Sequence, residues 1–284
     1  MTSVSEEAAH EPMTRRQRRE AAMSNTGPIP LPHFVQEAYR PLVTIVVLAG
    51  CALLAVSGFA GSGLVALTLL LGGGILAWGW AGLLALPSPR GTMGVLWFGN
   101  LALVGAAVAV TEEPYLRWLP GALALSLLVA FVHQLARRDG RPRLVESVAS
   151  TVAALAIMTS GACLVPLPFT LGGGHVVAAA SGAIGASALT DLCGKWERLR
   201  PWLLPLAMVG GGLTSVAFVT LSGGFTWGPA ALLGVVAAGV SHAVRRLLGH
   251  QPTMAGARPQ LVSAVASLLT PGVVVYVVSR LFVA

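Results

Sequence analysis

The stretch PLVTIVVLAGCALLAVSGFAGSGLVALTLLLGGGILAWGWAGLLALPSPR at 41–90 carries no charged residue before its last position, Arg90. A helix rises about 1.5 Å per residue, so about 20 apolar residues span the hydrocarbon core of a bilayer. The stretch is long enough for two such helices, divided at Gly61–Ser62–Gly63, and it lacks the period-two alternation of a barrel strand. Backbone polar groups in lipid have to be satisfied within the segment itself, which leaves helices as the reading.

Further runs of the same kind follow, giving candidate spans at 41–60, 63–86, 92–110, 118–136, 145–166, 174–191, 201–221, 228–246 and 260–282. The expected fold is therefore all-α, a polytopic transmembrane helix bundle of about nine spans. Composition agrees: of 284 residues 55% are hydrophobic and 10% charged, against roughly 25% charged in a soluble domain. Eleven acids and eighteen bases are too few to cover a surface facing water on all sides. Residues 1–32 are different, polar and basic, with TRRQRREAA at 14–22 and prolines at 28, 30 and 32, and are expected to form a disordered arm. The first apolar run begins near Pro41 with no small-residue cleavage pattern behind it, so a signal peptide is not expected and the run should remain as an anchor.

The net charge of +7 raises the question of nucleic acid, but the bases sit between apolar runs and form no stripe interleaved with aromatics, which excludes that partner class. Their distribution instead orients the chain. With the N-terminus in the cytoplasm and the C-terminus outside, the inner loops hold Arg90, RRDGRPR at 137–143, Lys195 to Arg200 and Arg245 to Arg258. Only Arg117 and Arg280 of the eighteen bases fall on the outer side. A single lysine among those eighteen points to a GC-rich bacterial source, hence a bacterial cell (inner) membrane. Cys51, Cys163 and Cys193 show no CxxC spacing, so neither a disulfide framework nor a metal site is expected, and no cofactor either.

An internal repeat is the most specific feature. WLPGALALSLLVAFVHQLARR at 118–138 resembles WGPAALLGVVAAGVSHAVRR at 227–246, pairing Trp118 with Trp227, Pro120 with Pro229, His133 with His242 and Arg137 with Arg246. RPRLVESVAS at 141–150 likewise matches RPQLVSAVAS at 258–267. The chain then divides into the arm at 1–32, a first transmembrane helix at 33–62, a four-helix repeat at 63–166 and a second at 167–284. Because each unit holds an even number of helices, the two enter the membrane the same way, as parallel repeats.

The repeat also selects candidate ligand-binding residues at the cytoplasmic face: His133, Arg137 and Arg141 in one unit, His242, Arg246 and Arg258 in the other. Each histidine precedes its arginine by one helical turn, so the two share a face, and imidazoles with guanidiniums suit a phosphate or carboxylate. The alternative is that these bases only set topology. Glu146 and Asp191 are the two acids near the apolar runs and complete the candidate set. Asn100, isolated in an apolar run, should hydrogen-bond to another helix. Pro271 should break the last span, and Trp78, Trp80, Trp118 and Trp227 read as interfacial anchors. No GxxxxGK[ST] motif is present, and catalytic residues are not identifiable.

Three function classes remain. Repeat architecture suggests a permease or flippase with its path between the two repeats. The loop DLCGKWERLRP at 191–201 resembles the phosphatidate cytidylyltransferases, which implies a membrane enzyme acting on a lipid phosphate at the cytoplasmic face, although that family's acid-rich signature near the C-terminus is absent. Sparse polar chemistry also fits a non-catalytic membrane subunit or scaffold. Expected partners are the lipid bilayer, with an anionic lipid or a membrane protein as further candidates.

Overall fold

A computed structural model describes residues 40–137 and 143–283 of the chain. The arm expected at 1–32 lies outside the described residues. Ten α-helices account for the described chain: α1 (Pro41–Ala60), α2 (Ser62–Leu83), α3 (Pro89–Val108), α4 (Leu119–Ala136), α5 (Leu144–Ala162), α6 (Gly173–Thr190), α7 (Leu203–Ser222), α8 (Trp227–Gly249), α9 (Ala257–Leu269) and α10 (Gly272–Phe282), with short 3-10 turns between some of them and no strand among the described residues. Taking α9 and α10 as one broken segment, nine helices are long and apolar enough to cross a membrane. They coincide with the nine runs read from the sequence.

The boundaries follow from local chemistry. Pro41 and Pro89 open α1 and α3, where the missing N–H has no partner to lose. The turn between α1 and α2 is Gly61 at φ +119°, a conformation closed to side chains carrying a Cβ. Within the spans the residues are apolar all round, and Ile45, Val56, Leu128, Val132, Leu213 and Leu221 stay exposed, as a lipid-facing surface requires.

Apolar side chains are as comfortable in lipid as against each other, so helix contacts depend on close approach of small residues. α6, α7 and α8 meet this way. A Cβ on Gly211 of α7 would come within 2.7 Å of the Gly234 carbonyl oxygen of α8 and 3.4 Å of the Ala183 oxygen of α6. α9 lies at the centre, packed on α1, α2, α5 and α8. It seats Val265 and Leu269 against Gly72 of α2, and Leu269 against Gly161 of α5. Asn100 of α3 is buried and its amide donates to the Leu70 carbonyl of α2 at 2.9 Å, the interhelical bond expected of it. Trp80 departs from the anchor reading: it is 3% exposed and its indole N–H donates to the Ser150 carbonyl of α5 at 2.9 Å.

The last span breaks at Thr270–Pro271, where proline has no N–H to continue the ladder. Ser160 of α5 repairs the gap: its hydroxyl donates to the Thr270 carbonyl at 2.5 Å and accepts from the Val273 N–H at 2.9 Å. Replacing Ser160 by Ala leaves both backbone groups without that partner. We expect a loss of about 1–3 kcal/mol, read as a lowered thermal midpoint of the purified protein in detergent. A midpoint equal to wild type refutes the repair.

Candidate functional site

α6 and α8 run side by side because α6 is built of alanine, glycine and serine, and their side chains meet where both helices end. On α8, Ser241, His242 and Arg245 occupy one face, since positions i and i+4 stack. Facing them are Ser187, one turn before the end of α6, and Asp191 immediately after it. The Asp191 carboxylate is divided between two partners. Oδ1 lies 2.7 Å from His242 Nδ1, and Oδ2 accepts from Arg245 Nε at 2.5 Å. The rest of the guanidinium is engaged as well, Nη1 donating to Ser241 Oγ at 2.6 Å and Nη2 to Ser187 Oγ at 2.9 Å.

Burial makes this a demanding arrangement. The His242 and Arg245 side chains are each 5% exposed, against 27% for Asp191. A guanidinium at that depth needs an opposite charge and filled donors, and it has both. Facing the Arg245 guanidinium, the Asp191 carboxylate acts as the acceptor, so the imidazole hydrogen is assigned to Nδ1. His242 Nε2 is then the remaining polar atom of the ring; it is buried and has no hydrogen-bond partner.

The cluster forms one wall of a cavity of about 110 Å³. Arg40, just before α1, and Thr44 of α1 form another wall, with Arg246 at the end of α8 and Ser263 of α9 completing it. Arg40 also donates to the Gly249 carbonyl at 2.9 Å, tying the start of α1 to the end of α8. Ser263 is fully buried and its hydroxyl, like His242 Nε2, has no hydrogen-bond partner. Three arginines and one carboxylate line the cavity, which makes it a place for negative charge.

Three of the residues selected from the sequence, Asp191, His242 and Arg246, line this cavity together. The others lie elsewhere. His133 on α4 is half-buried, its ring over Gly91 at the start of α3, where a Cβ would overlap it. Arg137 is buried and donates to Gln134 at 3.0 Å. Arg258 is exposed, stacked 4.0 Å from the Trp78 ring centroid and bonded to the Trp78 carbonyl. Glu146 is exposed and paired with Arg143, which also donates to the Ala85 carbonyl at 2.8 Å. Arg141 lies outside the described residues. α4 packs on α3 and α5, whereas α8 packs on α6, α7, α9 and α10, so His133 and His242 do not line one cavity.

Arg245, Ser187, Ser241, Ser263 and Arg40 are absent from the sequence-derived set. Arg245 had a visible signal, since it falls on the same helical face as His242 while its aligned position in the other stretch is Ala136. No group of three or more His, Cys, Asp or Glu residues suited to a metal occurs among the described residues. Comparison with protein-family models, curated proteins and solved structures finds no match to this chain.

The two neighbouring arginines of α8 should behave differently. Arg245→Met takes the guanidinium away from Asp191, Ser187 and Ser241 and is expected to cost about 3 kcal/mol or more. Arg246→Met alters an exposed side chain and should stay within about 1 kcal/mol. Thermal unfolding of both variants in one detergent checks the order; equal effects refute the assignment of Arg245 as the buried counter-charge.

Proposed function

We propose that the chain is a multi-pass permease of the bacterial cell membrane, its N-terminus cytoplasmic and its C-terminus outside, and that the cavity among α1, α6, α8 and α9 is its cytoplasmic substrate vestibule. The observation that carries this reading is the Asp191–His242–Arg245 cluster on the cavity wall. Ionisable side chains within spanning segments are costly and are characteristic of ion and substrate pathways. The orientation draws support from the bases: the cavity end gathers Arg40, Arg245 and Arg246, with Lys195 and Arg198 in the adjoining loop. Of the two outer bases, Arg280 pairs with Glu113 at 2.7 Å. On this reading 63–166 and 167–284 are tandem parallel repeats with a path at their contact, and support comes from α9, which packs on α2 and α5 and gives Ser263 to the cavity wall.

A lipid-phosphate enzyme has less support, because Asp191 is the one acid lining the cavity and is already shared between His242 and Arg245. Phosphoryl chemistry with magnesium draws on carboxylate ligands.

Alkaline phosphatase fused after Ala284 should be active in a bacterial host, and the same enzyme fused after Gln251 inactive; the reverse pattern overturns the orientation. For transport, purified protein in proteoliposomes is assayed with labelled sulfate, phosphate and succinate, and with a fluorescent phosphatidylglycerol for lipid movement. One of these should move faster than in protein-free vesicles, and Asp191→Asn should slow it by about tenfold or more. Wild-type vesicles no faster than protein-free ones refute the permease reading, and a protein co-purifying at fixed stoichiometry then selects the subunit alternative.

A further inference from the structure

Two residues that line the cavity, His242 and Ser263, each have a buried polar atom without a protein partner, Nε2 and Oγ, and these carry a more specific conclusion. The surrounding charge disfavours a cation: Arg40 just before α1 and Arg245 and Arg246 from α8 stand against Asp191 at the end of α6. These four are the charged groups lining the cavity around His242.

An anion meets an obstacle at the histidine. With Nδ1 carrying the hydrogen toward Asp191, a neutral imidazole presents a bare lone pair at Nε2. That lone pair repels an anionic oxygen. Contact becomes favourable once a proton from solution occupies Nε2, the ring then donating to Asp191 on one side and to the anion on the other. Ser263 needs no such change, because a hydroxyl donates as it stands.

We propose that the cavity binds an oxyanion of the phosphate or sulfate type together with one proton, the proton residing on His242 Nε2 and the oxyanion accepting from Nε2–H and Ser263 Oγ–H. This rests on the vestibule reading and deepens it by naming the ligand chemistry and its coupling. The balance is simple: a hydronium ion or buffer acid in solution gives up one proton, its own O–H or N–H bond breaking as one N–H bond forms at Nε2, and the conjugate base stays in solution. The same chemistry suits a free anion and the phosphodiester of an anionic lipid.

Sulfate and phosphatidylglycerol are the probes, because neither titrates in the range where histidine does. Wild-type protein in nanodiscs of zwitterionic lipid is titrated with sulfate by calorimetry in buffers of differing ionisation enthalpy. We expect uptake of about one proton per anion, with affinity falling by up to about tenfold per unit rise in pH. Proton-linked sulfate binding assigns a free anion. Proton-linked binding of phosphatidylglycerol in mixed nanodiscs, with none of sulfate, assigns a lipid headgroup. Absence of binding by both, or binding without proton uptake, overturns the proposal.

These wild-type measurements do not depend on a variant folding. His242→Gln adds a second reading, since its amide donates at every pH: binding should persist with its pH dependence lost. A Gln variant that keeps the full pH dependence also overturns the assignment. Because binding is measured at equilibrium, proton-linked binding without flux removes only the permease, while flux without proton-linked binding removes only this proposal.

Discussion

A segment in lipid must satisfy its own backbone, and this chain meets that demand with helices at every crossing. The one interior break shows how strict the demand is. At Thr270–Pro271 the ladder fails, and Ser160, from a helix 110 positions earlier, supplies a donor and an acceptor at the gap. The repair joins α5 to the α9–α10 pair. It therefore sets the depth of α9, the helix that touches α1, α2, α5 and α8. Once the backbones are closed in this way, contacts rest on how near two helices can come, and glycines at 72, 161, 211 and 234 set those distances.

The same geometry prepares the charged cluster. Helices as slim as α6 allow Ser187 and Asp191 to lie within hydrogen-bond reach of α8, where a bulkier face would hold them apart. Arg245 is tolerable at 5% exposure only because three oxygens converge on it. The aligned stretch of α4 has Val132 and Ala136 in place of Ser241 and Arg245. There the histidine packs over Gly91 at the start of α3. Two histidines that align in sequence thus sit in unlike surroundings, because the partners that define a site come from neighbouring helices.

This contrast explains what was legible in the sequence. Length and apolarity are properties of a single run, so the nine helices could be read directly, and Pro271 and Asn100 could be read from their own chemistry. Which helix lies beside which is not encoded in any one run. Asp191 and His242 were recognisable as ionisable groups beside apolar stretches, but their union needs the α6–α8 contact. Charge alone did not separate Arg245 from Arg246, because two adjacent arginines at a helix end look alike as topogenic charge. Helix phase separates them, turning Arg245 toward Asp191 and leaving Arg246 exposed. Trp78 and Trp80 part for the same reason, one stacked with Arg258 and 45% exposed, the other buried against α5.

The cluster's place at the end of the helices has its own energetic logic. A carboxylate–guanidinium pair at mid-membrane bears the full desolvation of both ions, while one at a helix end keeps contact with water through the 27% exposure of Asp191. α1 then closes the site. It stands outside both repeat units as read from the sequence, yet Arg40 and Thr44 form part of the cavity wall. Further along, Leu53 and Leu54 of the same helix line an apolar groove of about 230 Å³ shared with α2 and α9. The bond from Arg40 to the Gly249 carbonyl fixes α1 at its charged end, while its contacts along the groove are to aliphatic side chains. One helix is therefore held by a directional polar contact at one end and by non-directional packing along its length, and both the charged cavity and the apolar groove have it as a wall.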